Sequence, residues 1–178
     1  AGQIPNGIVT YTAHIVPALR AKGVEVFVVT SVDGSGVADP HVSVIGDGSR
    51  GSLLARALGR LHHAFSPGAP RERRDARSIA REIERLHREH KIDLVEMEES
   101  FGWCGAVAAH CSTPVVARLH GPWFLNGAMV ADPRTRSFRR RVRQEGVGLA
   151  RVAGITAPSR DVLVRTRAHY GVALADAE

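Results

Sequence analysis

Cysteine is almost absent from this 178-residue chain: there are two, Cys104 and Cys111. On one helix their Cα atoms would stand roughly 10 Å apart, too far for a disulfide. Two cysteines also make no metal site of the usual spacing, so they are expected to be buried, small apolar residues. Lysine is as scarce, with Lys22 and Lys91 alone against 22 arginines. Aromatic residues amount to 5%, which gives little support to stacking on single-stranded nucleic acid. No apolar run approaches the roughly 20 residues needed to span a bilayer. The opening Ala1-Gly2-Gln3-Ile4-Pro5 lacks the basic and apolar regions of a secretion signal. A cytoplasmic location is therefore expected. Repeats, low-complexity tracts, the G-x-S-x-G elbow and the P-loop are likewise missing.

What is present is an ordinary globular balance, 44% hydrophobic and 24% charged, with a net charge of +6. A basic surface favours anionic partners such as nucleotide sugars, phosphorylated acceptors, anionic lipid or nucleic acid. Helical and extended patterns alternate along the chain. Ile8, Tyr11, Ile15 and Leu19 recur at helical spacing, with Pro17 expected to kink that helix and Gly23 to stop it. Residues 24–30 (VEVFVVT) read as a buried strand, and 41–45 as a weaker one. Residues 53–65 and 75–90 read as amphipathic helices. Strands are expected over 93–97, 114–119 and 154–157, and helices over 103–111, 135–153 and from Ser159, as N-cap, to about Tyr170. This alternation predicts an α/β domain with one open parallel sheet and helices on both faces, without an internal boundary. Such a sheet normally opens with a strand before its first glycine loop. Only six residues precede Gly7, so that strand is expected to be missing.

Ligands of open parallel sheets bind beyond the carboxyl ends of the strands. That rule selects Asn6 and Gly7, then Glu98, Glu99 and Ser100, then His120, Gly121 and Pro122, and finally Ser159. Gly7 permits close backbone approach and opens a helix whose free N–H groups suit phosphate; a plain turn glycine is the alternative. His120 can donate a hydrogen bond or exchange a proton near neutrality, or it can be a structural histidine. Glu98 and Glu99 can accept from a hydroxylated ligand, or merely end a strand in solvent. Ser159 is better read as a helix cap than a nucleophile. Arg139, Arg140, Arg141 and Arg143 read most simply as a solvated helix surface.

Four segments, taken in order, resemble the N-terminal domain of family 4 GT-B glycosyltransferases. PNGIVTYTAHIVPALRAKGVEVFVVTS resembles the opening loop, helix and G-x-E-V-x-V strand. DLVEMEES resembles the D-V-V-E strand, and PVVARLHGP the P-V-V-x-x-x-H-G strand and loop. RQEGVGLARVAGITAPSRDV resembles the E-x6-A-D-x-I-x-x-P-S segment. The resemblance covers nearly the whole chain. It departs at Asn6, where a loop glycine is usual, and at Gly154, where Asp is usual.

The resemblance implies a Rossmann-like N-terminal half of a GT-B fold over 1–178. This half binds the acceptor, and a separate C-terminal domain holds the nucleotide-sugar donor. Transfer of a hexose-type sugar with retention, without a bound metal or other cofactor, is implied as well. Asn6 and Gly7 would lie against the donor diphosphate and His120 beside the transferred sugar. Trp123 and Phe124 fall in a loop that would shape the acceptor site, with plain local packing as the alternative, and Glu145 matches the family glutamate, with a structural role equally open. The family's C-terminal cationic residues and E-x7-E signature are not in this sequence, so little turnover is expected from these residues alone. Expected partners are the nucleotide sugar, an acceptor (sugar, lipid-linked or small molecule) and the donor domain. Peripheral membrane contact through the Arg-rich helix is left open, and nucleic acid is not expected. A non-catalytic carbohydrate- or nucleotide-binding module is the competing reading. Donor, sugar, acceptor and oligomeric state are not legible.

Overall fold

A computed structural model describes residues 7–30, 39–45 and 69–172, with side chains of the third stretch from residue 75. The expected helix over 53–65 and the loop residue Asn6 lie outside the described residues. The chain divides into two compact units, 1–46 and 47–178.

In the first unit, helix α1 (Gly7–Ala21) precedes two short parallel strands, β1 (Val28–Thr30) and β2 (Val42–Val44). Pro17 lies inside α1. The strand expected over 24–30 is therefore shorter than its apolar run. Its first residues are consumed by the helix end. Gly23 N–H donates to the Arg20 carbonyl and Val24 N–H to that of Leu19, while Gly23 takes φ +82°. This is the paired cap that a left-handed glycine allows. Arg20 then holds the Val26 carbonyl at 2.9 Å and Asp39 at 3.2 Å, so regular pairing begins only at Val28.

The second unit is built on a three-stranded parallel sheet, in the order β3 (Val95–Glu98), β4 (Val115–Arg118), β5 (Gly154–Thr156). Among the described residues the strands fall into two parallel sheets, β1-β2 and β3-β4-β5, in keeping with the expected α/β class, and no strand precedes α1. Helix α2 (Ala69–His90) presents Ala76, Ala80, Ile83 and Leu86 at helical spacing, all buried. It ends at Lys91, which takes the left-handed conformation usual for glycine. Glu84 on α2 accepts both the N–H (2.6 Å) and the hydroxyl (2.9 Å) of Ser112, fixing the helix to the approach of β4.

After β3 the chain turns through a short 3-10 segment (Ser100–Gly102) into α3 (Trp103–Ala108). The helix expected to reach residue 111 is thus shorter, and only Cys104 lies within it. Both cysteines are free; Cys104 is buried as expected, whereas Cys111 is half-buried. Burial pushes the Cys104 thiol up to about 12 and that of Cys111 to about 11, which leaves both unreactive near neutrality.

The loop expected over 121–133 contains a one-turn helix, α4 (Trp123–Asn126). Helix α5 (Arg136–Leu149) follows, with Thr135 as N-cap, and α6 (Arg160–Tyr170) is capped by Ser159, whose Oγ accepts from Val162 N–H. The core joins Ala76, Ala80 and Ile83 of α2, Cys104 and Val107 of α3, Val115 and Ala117 of β4, Leu149 and Ile155. No described helix is long and apolar enough to cross a membrane.

Candidate functional site

The carboxyl ends of β3, β4 and β5 meet at one rim of the second unit, and the residues just beyond them are tied together by side chains. Glu99, the residue after β3, is only 2% exposed. Its Oε1 accepts from Gly121 N–H at 2.9 Å, and its Oε2 from His120 N–H at 3.1 Å. Glu99 therefore holds the main chain that follows β4. Its oxygens are committed to backbone donors, unlike the ligand-facing carboxylate expected at this position.

Glu98 is half-buried and accepts from Ser100 Oγ at 3.2 Å. Burial raises its pKa; the Ser100 hydroxyl opposes this, Glu99 adds to it, and Arg141 opposes it. Of the two neighbouring glutamates, Glu98 is the one whose side chain reaches the surface with a hydroxyl partner.

His120 is half-buried. Burial lowers its pKa, partly offset by the nearby Glu99. The imidazole is consequently held neutral at physiological pH, with one nitrogen a donor and the other an acceptor. Gly121 brings the turn close to Asn126: a Cβ there would meet the end of the Asn126 side chain, which can swing aside.

A second buried glutamate fixes the next residue of the same segment. Glu145 of α5 is 1% exposed. Its Oε2 accepts from Trp123 N–H at 2.7 Å and from the Tyr170 hydroxyl at 3.4 Å, and its Oε1 from Arg141 Nε–H at 3.4 Å. Arg141 is layered between two rings, its guanidinium carbon 3.6 Å from the Trp123 ring centre and 3.9 Å from that of Phe101. Such packing favours the flat, weakly hydrated guanidinium over an ammonium. Phe101 takes a left-handed backbone conformation, φ +56°. That costs a non-glycine residue about 1–2 kcal/mol, and it swings the ring under Arg141.

Phe124 stacks flat on His169, ring centres 3.9 Å apart, and meets Tyr170 edge-on at 5.2 Å. These rings line an open groove of about 490 Å³ together with Phe138, Val142, Arg139 and Arg143.

The rim thus brings together Glu98, Glu99, Ser100, His120, Gly121 and Trp123. Ser159 is a helix cap and Phe124 belongs to the adjoining aromatic groove. Gly7 opens α1 in the first unit, with nothing within 4 Å of where a Cβ would stand. The reading of Arg141 as a solvated surface residue is corrected: its counterpart rings come from distant segments, and only the i,i+4 spacing to Glu145 was visible in the sequence.

The family model of Glycosyltransferase Family 4 matches residues 5–178. The chain belongs to glycosyltransferase family 4. No curated protein and no solved structure gives a significant match. Membership makes the chain a glycosyltransferase domain, whose partners in general are a sugar donor and an acceptor. The α/β architecture with parallel strands agrees with a Rossmann-like half of the GT-B fold. Among the described residues, no group of three or more His, Cys, Asp or Glu is placed to hold a metal ion.

Proposed function

We propose that this domain is the acceptor-side half of an enzyme that moves a sugar from a nucleotide-sugar donor to an acceptor with retention of configuration. The observation that carries the reading is the family 4 match over residues 5–178, with His120 presented beyond β4 by main chain that Glu99 holds. In a front-face displacement, the bond from the anomeric carbon to the diphosphate breaks, the bond to the acceptor oxygen forms on the same face, and the acceptor hydroxyl's proton passes to the departing diphosphate. A neutral imidazole contributes there as a fixed hydrogen-bond partner of the transferred sugar, orienting it without adding a charge. Glu98 with Ser100 offers an acceptor and a hydroxyl for reading acceptor hydroxyls. Trp123 and Phe124 contribute apolar surface. Asn6 and Gly7 would serve the donor diphosphate, as the family resemblance implies. No resident cofactor or metal is called for. A cytoplasmic site with the option of membrane contact fits the basic α5, whose Arg136, Arg139 and Arg143 are exposed.

In the parent protein, His120→Ala is expected to lower kcat on the order of 100-fold, the usual cost of one preorganised transition-state hydrogen-bond donor. The urea midpoint should be nearly unchanged. Undiminished sugar transfer by a folded His120→Ala variant contradicts the role.

Expressed by themselves, residues 1–178 are expected to bind acceptor without transferring sugar. The resemblance assigns neutralisation of the leaving diphosphate to the donor domain, and without that term the barrier stays high. Appreciable transfer by the purified stretch would count against this division of labour. Glycan or nucleotide binding by an inert parent would favour a non-catalytic module instead.

A further inference from the structure

We propose that Glu145 is a positioning residue: its buried carboxylate, by accepting the Trp123 N–H, sets the His120–Trp123 segment, and protonating it loosens that segment.

The geometry leaves the carboxylate no other evident task. Three donors converge on two oxygens: the Trp123 backbone at 2.7 Å, Arg141 at 3.4 Å and the Tyr170 hydroxyl at 3.4 Å. The shortest is the one made to the loop. These donors come from three parts of the fold: the turn after β4, α5 itself and the end of α6. A carboxylate can accept from all three. A protonated carboxyl keeps fewer acceptor sites and gains a proton that needs an acceptor of its own. At least one of the three donors must then weaken or turn away. Trp123 is the member whose position bears on the rim, because it lies three residues beyond His120 on a segment otherwise tied through Glu99.

The groups around Glu145 place this change in a usable range. Burial raises its pKa to about 7; the Trp123 N–H and Arg141 lower it, and Glu99, from the far side of the 3-10 turn, raises it. Tyr170 stays protonated, its pKa pushed well above the usual phenol range by burial and by Glu145 itself. Cys104 of α3, which also feels the charge of Glu145, stays a neutral thiol. Glu145 therefore changes charge near neutrality, while its neighbours Tyr170 and Cys104 do not.

The Trp123 amide reports the contact directly. In 15N-labelled protein, its proton shift is expected to follow a single titration centred near pH 7, moving downfield as the carboxylate forms. Glu145→Gln should abolish that titration. Arg141→Met, which removes the nearest cation, should move the midpoint upward by roughly 1 pH unit. A flat Trp123 amide between pH 5 and 8.5 overturns the proposal, as does a curve that survives in Glu145→Gln. A midpoint that fails to rise in Arg141→Met does so as well, and this arm holds if Glu145→Gln does not fold.

The consequence for catalysis rests on the transferase reading above. In the parent protein, kcat should rise with pH through the same midpoint, and this rise should be absent in Glu145→Gln. A rise that persists in that variant overturns the positioning role. A parent that transfers no sugar at any pH bears on the transferase reading alone, and the amide titration still decides the proposal.

Discussion

Gly102→Ala is expected to destabilise the domain by more than about 3 kcal/mol, the largest effect of any single methyl group at this rim. Gly102 has φ +69°, so any other L residue there pays about 1–2 kcal/mol for the left-handed conformation alone. The larger part is packing. A Cβ would overlap the Gln144 carbonyl oxygen and stand 2.7 Å from its carbon. These are main-chain atoms of α5 and cannot swing aside as a side chain can. Relief requires α5 to move, and α5 carries Arg141 and Glu145.

The same crossing involves Gly105 and Gly148, where a Cβ on the first would lie 2.5 Å from the Cα of the second. Three glycines thus let α5 meet the turn and α3 backbone to backbone. Gly148→Ala should destabilise too, despite the roughly 1 kcal/mol that alanine gains over glycine in a helix. Gly171→Ala is the comparator. It has φ +63° and nothing within 4 Å of the Cβ position, so it pays only the conformational part. Urea unfolding of the three variants should rank Gly102→Ala well below Gly171→Ala. Equal losses at the two positions would show that the close crossing contributes nothing.

Glu99→Ala is expected to cost about 2–4 kcal/mol and most of the transfer activity of the parent protein. The carboxylate accepts two backbone donors, and charged acceptors contribute about 1.5–3 kcal/mol each. Removing it leaves the His120 and Gly121 N–H groups to find water in a half-buried turn. Glu99→Gln keeps an acceptor oxygen and should lose less. The order wild type, Gln, Ala should hold for both urea stability and kcat. Full activity in a folded Glu99→Ala variant would mean that His120 needs no such support.

The element pattern was legible because its signals are local. The α2 stripe of Ala76, Ala80, Ile83 and Leu86, the β-branched run of β4 and the Ser159 cap each follow from spacing within one segment. The strand over 24–30 came out too long because its apolar run conceals a helix cap at Val24. The site was legible in part. The strand-end rule reached Glu98, Glu99, Ser100, His120 and Gly121, but not the division of labour between the two glutamates. Burial separates them: one carboxylate is sealed against main-chain donors and the other reaches the surface. Arg141 could not have been singled out, since an arginine among arginines differs only by the rings above and below it. Those rings, Phe101 and Trp123, stand 22 residues apart in the chain.

Ionised Glu145 is kept at a cost. Its native pKa of about 7 lies above the ordinary 4.5, so between these values the folded state binds more protons than the unfolded one. Its contribution to stability is full below about pH 4.5 and is lost as pH rises through 7. The charge that holds Trp123 thus works against global stability, as expected of groups kept for placement over robustness.

The two buried carboxylates, Glu99 and Glu145, hold the segment after β4 by its amide hydrogens. Glu99 recognises positions 120 and 121, and Glu145 position 123, by what every residue except proline possesses. The shape of this turn is therefore largely independent of which side chains it displays. Positions 120, 121 and 123 are thus placed by contacts that ask of each residue only that it carry an N–H.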